Sequence, residues 1–239
     1  MKFLEKRLKN KGYKEVRKTN DFVIAEGDIP ICLIAHCDTV FNEQSPKEWI
    51  YDYKKQVLWC PTGAGFDDRA GIAAILKIIN DGFRPHIIFT TGEEFGGIGA
   101  YELIDFFPKS PFQELKFLIE LDRAGKNDCV FYHCDNKTFT KKIESYGFIE
   151  DIGSFTDISI IMPAWNVAGV NLSVGYYDEH SKMERVYIKQ LQSTIKKVEN
   201  ILKDNKYLFN YKYVKAKGKY APLSDIIYNT FTEKSLFDF

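Results

Sequence analysis

The sequence predicts an α/β fold, in which helices cover both faces of a mostly parallel, mixed sheet to make three α/β/α layers. Nearly continuous apolar runs are typical of strands that are buried on both faces. These runs are ICLIAH (31–36), PHIIFTT (85–91), LKFLIEL (115–121) and VAGVNLSV (167–174). Helical patterns separate them, and alternation of strands with helices indicates parallel pairing.

Apolar residues at helical spacing identify the helices. Ile72, Ile75, Leu76 and Ile79 share one face of a helix that Gly82 ends. Similar patterns occupy residues 97–107, 137–147 and 184–204, and a short first helix ends at Gly12. The segments KEVRK and FVIAEG, separated by a turn, predict a hairpin near the N-terminus.

Composition excludes several function classes. Lysine plus arginine and aspartate plus glutamate number 33 each, so no net charge attracts nucleic acid or a membrane surface. No apolar run approaches the roughly 20 residues that a transmembrane helix needs. The five cysteines are odd in number and lack the paired spacing of secreted scaffolds, which predicts reduced thiols in the cytoplasm.

The length suits one domain, which we place at residues 1–204, with a C-terminal aromatic arm at 205–239. In the arm, Tyr207, Phe209, Tyr211 and Tyr213 alternate with polar residues. This pattern predicts an extended segment whose aromatic side packs on the domain or on a partner. A homo-oligomer is therefore an open alternative.

Polar residues that suit a metal site follow the apolar runs. They are His36, Asp38, Asp67, Asp68, Glu93, Glu94, Asp122 and His180. Ligands of open α/β sheets bind beyond the carboxyl ends of the strands, where most of these residues fall. Two imidazoles and three carboxylates form a nitrogen and oxygen shell for zinc, and one glutamate is left for proton transfer. The sequence predicts a metal-dependent hydrolase.

Each motif also has a purely structural interpretation. The pair Asp67 and Asp68 could cap a helix, with one of the two free to serve metals. Adjacent Glu93 and Glu94 could form a solvated acidic turn, and Asp122 could form an ion pair with its neighbour Arg123. Cys129, His133 and Cys134 could form another metal site, although their spacing fits no zinc ribbon and favours a structural role.

The five motifs together resemble those of the co-catalytic dizinc exopeptidase superfamily, which includes aminopeptidases, dipeptidases and tripeptidases. The matching segments are HCDTV, GFDDRAG, TTGEEFGG, ELDRAG and YDEHSKMER, in this order within residues 30–190. The resemblance implies two divalent ions, with zinc expected and cobalt or manganese as substitutes. It also implies that Asp67 bridges the ions and that the peptide bond after it is often cis.

The resemblance assigns a role to each matching residue. His36 and Asp122 complete the shell of one ion, and Glu94 and His180 complete that of the other. Glu93 is implied to be the general acid/base, and Asp38 to orient the ring of His36. The orienting role agrees with the spacing, because residues two apart on an extended segment point to the same face.

This chain lacks segments that the larger members of the superfamily carry. Residues 123–179 are too few to include their lid and dimerisation domain, and residues 39–66 leave room only for a small hairpin. A minimal form without a lid favours an aminopeptidase over a carboxypeptidase. The segment SFTDIS resembles a border of the substrate pocket, and it predicts Asp157 as a substrate contact.

The leading hypothesis is an exopeptidase, either an aminopeptidase or a dipeptidase, that hydrolyses small peptides with a metal-activated water. An N-acyl amino acid deacylase or a cell-wall peptide amidase would use the same site on an acylated amino acid or related substrate. A catalytically silent, peptidase-like binding module is the third hypothesis. The intact ligand set and Glu93 disfavour this module.

Overall fold

The structure is a computed structural model that describes residues 1–41 and 48–216. Its main sheet has eight strands in the order β1-β2-β6-β3-β7-β10-β8-β9. The central strands β6, β3, β7 and β10 are parallel, whereas β2 and β8 join them in antiparallel orientation. The predicted α/β fold with a mostly parallel mixed sheet is confirmed.

The strands of the main sheet are β1 (Val16–Lys18), β2 (Phe22–Ala25), β3 (Ile29–His36), β6 (Pro85–Thr90), β7 (Phe117–Arg123), β8 (Asp128–Val130), β9 (Ile149–Glu150) and β10 (Gly169–Ser173). All four apolar runs form strands at its centre. Their side chains, such as Leu33, Ile88 and Ile119, are fully buried. Burial on both faces explains the continuous apolar composition.

Six helices flank the sheet in the described part of the chain: α1 (Lys2–Asn10), α2 (Phe66–Asn80), α3 (Ile98–Phe106), α4 (Lys137–Glu144), α5 (Asp157–Trp165) and α6 (Ile188–Lys203). Helix α2 packs with α6, and α3 packs with α5. Over the described ranges, none of the helices has the length and apolar character needed to cross a membrane.

A second, four-stranded sheet lies beside the first. It contains β4 (Ile50–Asp52), β5 (Val57–Trp59), β11 (Tyr176–Tyr177) and β12 (Arg185–Tyr187), in the order β11-β12-β5-β4. The small hairpin expected before Asp67 is thus present as β4 and β5. The last predicted helix begins later than expected, because residues 185–187 pair with β5 instead.

Helix α5 was not predicted as a helix. Its sequence, DISIIMPAW, is apolar on nearly all sides and includes Pro163, so it has no clear helical periodicity. Burial between α3 and the sheet stabilises it, and residues such as Ile158, Ile161 and Met162 are fully buried. Tertiary packing therefore overrides a weak local signal.

The first part of the predicted arm lies on the domain. A short 3-10 helix (Asp204–Tyr207) is followed by Tyr211, which is buried against the rings of Phe117 and Phe139 at centroid distances of 5.8 and 5.0 Å. Tyr207 and Phe209 are exposed, although the ring of Phe209 lies 6.3 Å from that of Tyr211, so only part of the predicted aromatic side packs on the domain. The domain boundary at residue 204 stays a prediction, and residues 217–239 of the arm lie outside the described residues.

The parallel strands bring the predicted site residues to one edge of the sheet. Strand β3 lies between β6 and β7, and its last residue, His36, is in register with Thr90 at the end of β6. The neighbouring strand β7 carries Asp122 near its own carboxyl end. The loop after β6 carries Glu93 and Glu94. Neighbouring parallel strands thus place residues distant in sequence around one crevice.

His86 has a structural role at the opposite end of β6. Its ring is 3% exposed and stacks on Phe112, with ring centroids 4.3 Å apart. The Nδ1 atom accepts a hydrogen bond from the backbone N–H of Gly27 at 3.0 Å, and Nε2 donates to the carbonyl of Glu114 at 2.7 Å. This pattern requires a neutral ring, and burial lowers the pKa of His86.

We expect His86 to make the protein less stable as the pH falls. Because its pKa is lower in the folded than in the unfolded state, neutral His86 contributes fully above the unfolded value of 6.5. That contribution is lost as the pH falls from there through the lowered folded pKa. Urea unfolding at pH 7 and pH 5 should show a larger loss for the wild type than for His86→Gln. Equal losses would contradict this assignment.

Candidate metal centre

Five predicted ligands meet at the carboxyl ends of the central strands. They are His36, Asp67, Glu94, Asp122 and His180. His36 ends β3, Asp122 lies near the end of β7, and Asp67 is at the start of α2. The other two lie in loops. The structure therefore joins segments that are more than a hundred residues apart in the chain.

The carboxylate of Asp67 divides these groups into two sets. Its Oδ1 atom lies 2.9 Å from Nε2 of His36, and this same nitrogen is 3.4 Å from Oδ1 of Asp122. The Oδ2 atom of Asp67 lies 3.1 Å from Nε2 of His180, which is 3.0 Å from Oε2 of Glu94. Each set has one imidazole and one further carboxylate, and Asp67 belongs to both.

Neighbouring groups hold Asp67 in this position. The Asp67–Asp68 peptide bond is cis, as the resemblance implied. The fully buried Asp68 accepts hydrogen bonds from the N–H groups of Gly71 at 2.9 Å and His36 at 3.3 Å. Glu184 accepts one from the N–H of Asp67 at 3.0 Å. Asp68 thus caps the helix while Asp67 faces the cluster.

A close approach at Gly71 makes this arrangement possible. A Cβ atom at this position would lie 1.9 Å from the carbonyl oxygen of Leu121 and 2.5 Å from Oδ1 of Asp68. Only glycine lets helix α2 lie this near to β7. The contact brings Asp67 beside Asp122.

Asp38 connects His36 with the acidic loop after β6. Its Oδ1 atom is 3.4 Å from Nδ1 of His36, a distance that suits an ion pair better than a hydrogen bond. The same carboxylate accepts the N–H groups of Glu93 at 3.3 Å and Glu94 at 3.2 Å. Although burial opposes it, His36 lowers the pKa of Asp38, which stays charged.

Asp122 has polar partners that the sequence did not identify. Tyr176 donates its hydroxyl to Oδ1 at 3.2 Å, and Thr156 donates to Oδ2 at 3.1 Å. The side chain of Asn171 binds both the N–H and the carbonyl of Asp122, at 2.9 and 2.8 Å. Thr156 lies in the segment SFTDIS, which predicted a role only for Asp157, and no motif includes Asn171. Only the position of Tyr176 beside the His180 loop gave a signal.

Burial and the repulsion between neighbouring carboxylates make the ionised form of several acidic side chains in the cluster unfavourable. Burial, together with the charge of Asp67, raises the pKa of Asp122 to about 7. Burial and the charge of Asp122 raise the pKa of Glu93 to about 9. Although burial opposes it, the carboxylates of Asp122, Asp38 and Asp67 raise the pKa of His36 well above its ordinary value. A cation would relieve this repulsion.

The residues fit divalent metal ions. Within the described residues, the groups that could hold a metal all include His36, joined either by Asp67 and Glu94 or by Asp68 and Asp122. The oxygens of Asp68 already accept backbone N–H groups, so Asp67 is the better donor. The buried Oε1 atom of Glu94 has no hydrogen-bond partner, which suits a ligand atom.

Other predicted interactions have different outcomes. Arg123 pairs with Asp151 at 2.5 Å, whereas Asp122 faces the cluster. Cys129 and Cys134 are buried free thiols outside the metal-binding groups of the described chain. Asp157 needs a correction: it is fully buried and accepts a hydrogen bond from Thr90, so it has no surface for the predicted substrate contact.

A cavity of about 390 Å³ opens beside the cluster. Its lining includes Asp67, Glu93, Glu94, Asp122 and His180. Glu94 is engaged by His180, whereas Glu93 lines the cavity and forms no ion pair with any of the described residues. The two adjacent glutamates therefore differ in their surroundings.

Replacing Glu94 by glutamine is expected to raise the melting temperature of the metal-free protein, because burial and the charge of Asp67 raise the pKa of this carboxyl. In zinc, the same change is expected to reduce the zinc-induced rise in melting temperature, because a ligand is lost. Thermal unfolding in EDTA tests the expected rise in melting temperature, and thermal unfolding in zinc tests the expected smaller effect of the metal. Glu144→Gln, on the exposed surface of α4, is the control. A lower melting temperature in EDTA, or an undiminished zinc effect, would contradict the prediction.

No family model and no curated protein matches the sequence. Solved structures do. A tripeptidase from Staphylococcus aureus subsp. aureus Mu50 has a TM-score of 0.69 and 16% identity, over 86% of this chain and 92% of that chain. The Pyrococcus horikoshii TET1 peptidase can assemble into a tetrahedron or a large octahedral shell. It has a TM-score of 0.59 and 15% identity, over 84% of this chain and 92% of that chain.

A zinc-dependent exopeptidase from Parabacteroides distasonis ATCC 8503 has a TM-score of 0.58 and 17% identity, over 84% of this chain and 87% of that chain. At such identities, structural similarity establishes the fold rather than the reaction. The motifs pointed to the same superfamily. The chain has the fold of the zinc-dependent exopeptidases.

Proposed function

We propose that the protein is a metal-dependent exopeptidase, either an aminopeptidase or a dipeptidase. The observation that carries this proposal is the position of Asp67 between two sets of a histidine and a carboxylate. A carboxylate shared in this way can bind two cations, one through each oxygen. The similar structures, which include a tripeptidase and a zinc-dependent exopeptidase, support the same reaction class.

In this proposal, His36 and Asp122 hold one ion, Glu94 and His180 hold the other, and Asp67 binds both. Nitrogen and oxygen ligands of this kind suit Zn²⁺, and Co²⁺ or Mn²⁺ could replace it. When bound, the two ions polarise the scissile carbonyl and make water a better nucleophile near neutral pH. The number and identity of the ions are part of the proposal.

Glu93 is the general acid/base of the proposal. It lines the cavity beside the cluster, and Asp38 accepts its backbone N–H. From this position its carboxylate can take a proton from the attacking water and then donate it to the leaving amine. Asp38 orients the His36 ring and the Glu93 loop together, because its two oxygens contact both.

The connection between β7 and β10 bears on the substrate. It contains β8, α4, β9 and α5, and its two strands, β8 and β9, belong to the main sheet. The connection therefore forms part of the main body, with no separate lid that could supply groups for a substrate carboxylate. This supports an aminopeptidase over a carboxypeptidase. Oligomeric assembly, which the TET1 peptidase shows, stays a prediction for this chain.

Glu93→Gln is expected to retain zinc but to lose nearly all turnover, at least about a hundredfold, because the amide cannot accept the proton. Zinc content by atomic emission and release of p-nitroaniline from leucine p-nitroanilide measure the two properties. Glu144→Gln should behave as the wild type. EDTA should abolish activity and zinc should restore it. Full activity of Glu93→Gln would remove this residue from the mechanism.

A substrate panel separates the proposal from its alternative. We expect hydrolysis of aminoacyl p-nitroanilides and little hydrolysis of N-acetyl amino acids, because the connection between β7 and β10, which is described throughout, forms no separate lid to bind the carboxylate of the N-acetyl substrates. The reverse preference would instead identify an N-acyl amino acid deacylase, and cleavage of cell-wall peptides alone would identify an amidase. A chain that holds neither zinc nor activity would be a silent binding module.

A further inference from the structure

A short segment separates the metal centre from a second, larger cavity. We call residues 152–155 the rim; its sequence is Ile152, Gly153, Ser154 and Phe155. All four line the cavity of about 390 Å³ beside the metal ligands, and all four also line a neighbouring cavity of about 1200 Å³. The rim is therefore a wall with one side towards each space.

Two consecutive residues of β7 hold the rim at its two ends. Arg123 donates to the carboxylate of Asp151 at 2.5 Å and to the carbonyl of Ile152 at 3.2 Å. At the other end, Thr156 donates to Oδ2 of Asp122 at 3.1 Å. Because Asp122 is a proposed metal ligand, the wall is positioned directly against the metal centre.

The rim also packs against its surroundings. Gly97, with a positive φ of +77°, leaves space for the ring of Phe155, whose Cζ atom would lie 3.0 Å from a Cβ at that position. A Cβ on Gly153 would approach the ring of Tyr132 to 3.1 Å, and Tyr132 lines both cavities as well. These contacts set the distance of the rim from the acidic loop.

The surface that the rim presents is apolar. Ile152 is 70% exposed and Phe155 is 41% exposed, although both lie beside a charged cluster. The larger cavity continues this surface with Tyr101, Ile104, Phe131 and Ile160. Of the charged residues that line this cavity, Asp151 pairs with Arg123 and Lys137 pairs with Asp135 at 2.6 Å, whereas Glu150 is exposed at its edge on β9.

We propose that the rim selects the side chain of the substrate's N-terminal residue, and that Ile152 and Phe155 favour a large apolar side chain such as that of leucine, methionine or phenylalanine. This inference rests on the proposed exopeptidase function. With the scissile bond at the metal centre, the adjacent side chain lies against the rim and covers its exposed apolar surface. A charged side chain would be desolvated there without a partner.

The test measures discrimination between leucine and alanine. The wild type should hydrolyse leucine p-nitroanilide at least about tenfold more efficiently, in kcat/KM, than alanine p-nitroanilide. Ile152→Ala and Phe155→Ala should each reduce this ratio by about threefold or more, mainly through leucine. Ile149→Ala is the matched control, since Ile149 is exposed on the neighbouring β9 but lines neither cavity. Ile149→Ala should leave the ratio of kcat/KM for leucine p-nitroanilide to that for alanine p-nitroanilide unchanged.

A binding measurement tests the selectivity of the rim independently of peptide hydrolysis. Calorimetry with zinc-loaded Glu93→Gln should show tighter binding of L-leucinamide than of L-alaninamide, and Phe155→Ala in this background should remove most of the difference. If Glu93→Gln binds L-leucinamide selectively but the wild type hydrolyses neither anilide, the result would support the rim assignment and refute the proposed reaction. Hydrolysis with equal efficiency for leucine and alanine, or an unchanged ratio in both rim variants, would overturn the rim assignment. Absence of both binding and hydrolysis would overturn both.

Discussion

The position of the Asp67 carboxylate is the constraint on which the rest of the site depends. One oxygen faces His36 and the other faces His180, so a shift of this side chain would disconnect the two halves of the cluster. The carboxylate is held through its own backbone N–H by Glu184 and through the following residue, Asp68, which binds both the start of α2 and the end of β3. Helix and strand are thereby joined at the point where the chemistry is proposed.

The site concentrates acidic groups that would be unfavourable in an ordinary protein interior. Burial raises the pKa of Asp122 and Glu93, and it raises that of the fully buried Glu120 well above its ordinary value. Hydrogen bonds from neutral donors such as Tyr176 and Thr156 orient Asp122 without neutralising its charge. Such an arrangement favours the binding of cations, whose charge offsets the repulsion among the carboxylates.

The segment between β7 and β10 serves both the metal centre and the proposed substrate pocket. Asp122 is bound by Thr156, and its neighbour Arg123 is bound to Asp151, so the rim between these tethers follows the position of β7. In the proposed function, the connection between these two strands of the sheet thus forms a wall of the substrate pocket. Helix α5 continues directly from the rim and packs on α3, which ties the wall to the acidic loop that precedes α3.

The sequence by itself determined the fold class, the central strands and the identity of the groups at their ends, because apolar runs and strand-end polar residues are local signals. It also indicated that one of the adjacent aspartates caps α2, although the assignment of Asp67 to the metals came only from the resemblance. The tertiary structure decided which oxygen faces which imidazole, the burial of Asp157, and the partners Thr156, Asn171 and Glu184. These depend on contacts between segments far apart in the chain, and no periodicity or short motif records such contacts. Helix α5 was missed for the same reason, because packing against α3 and the sheet, rather than its own pattern, makes it a helix.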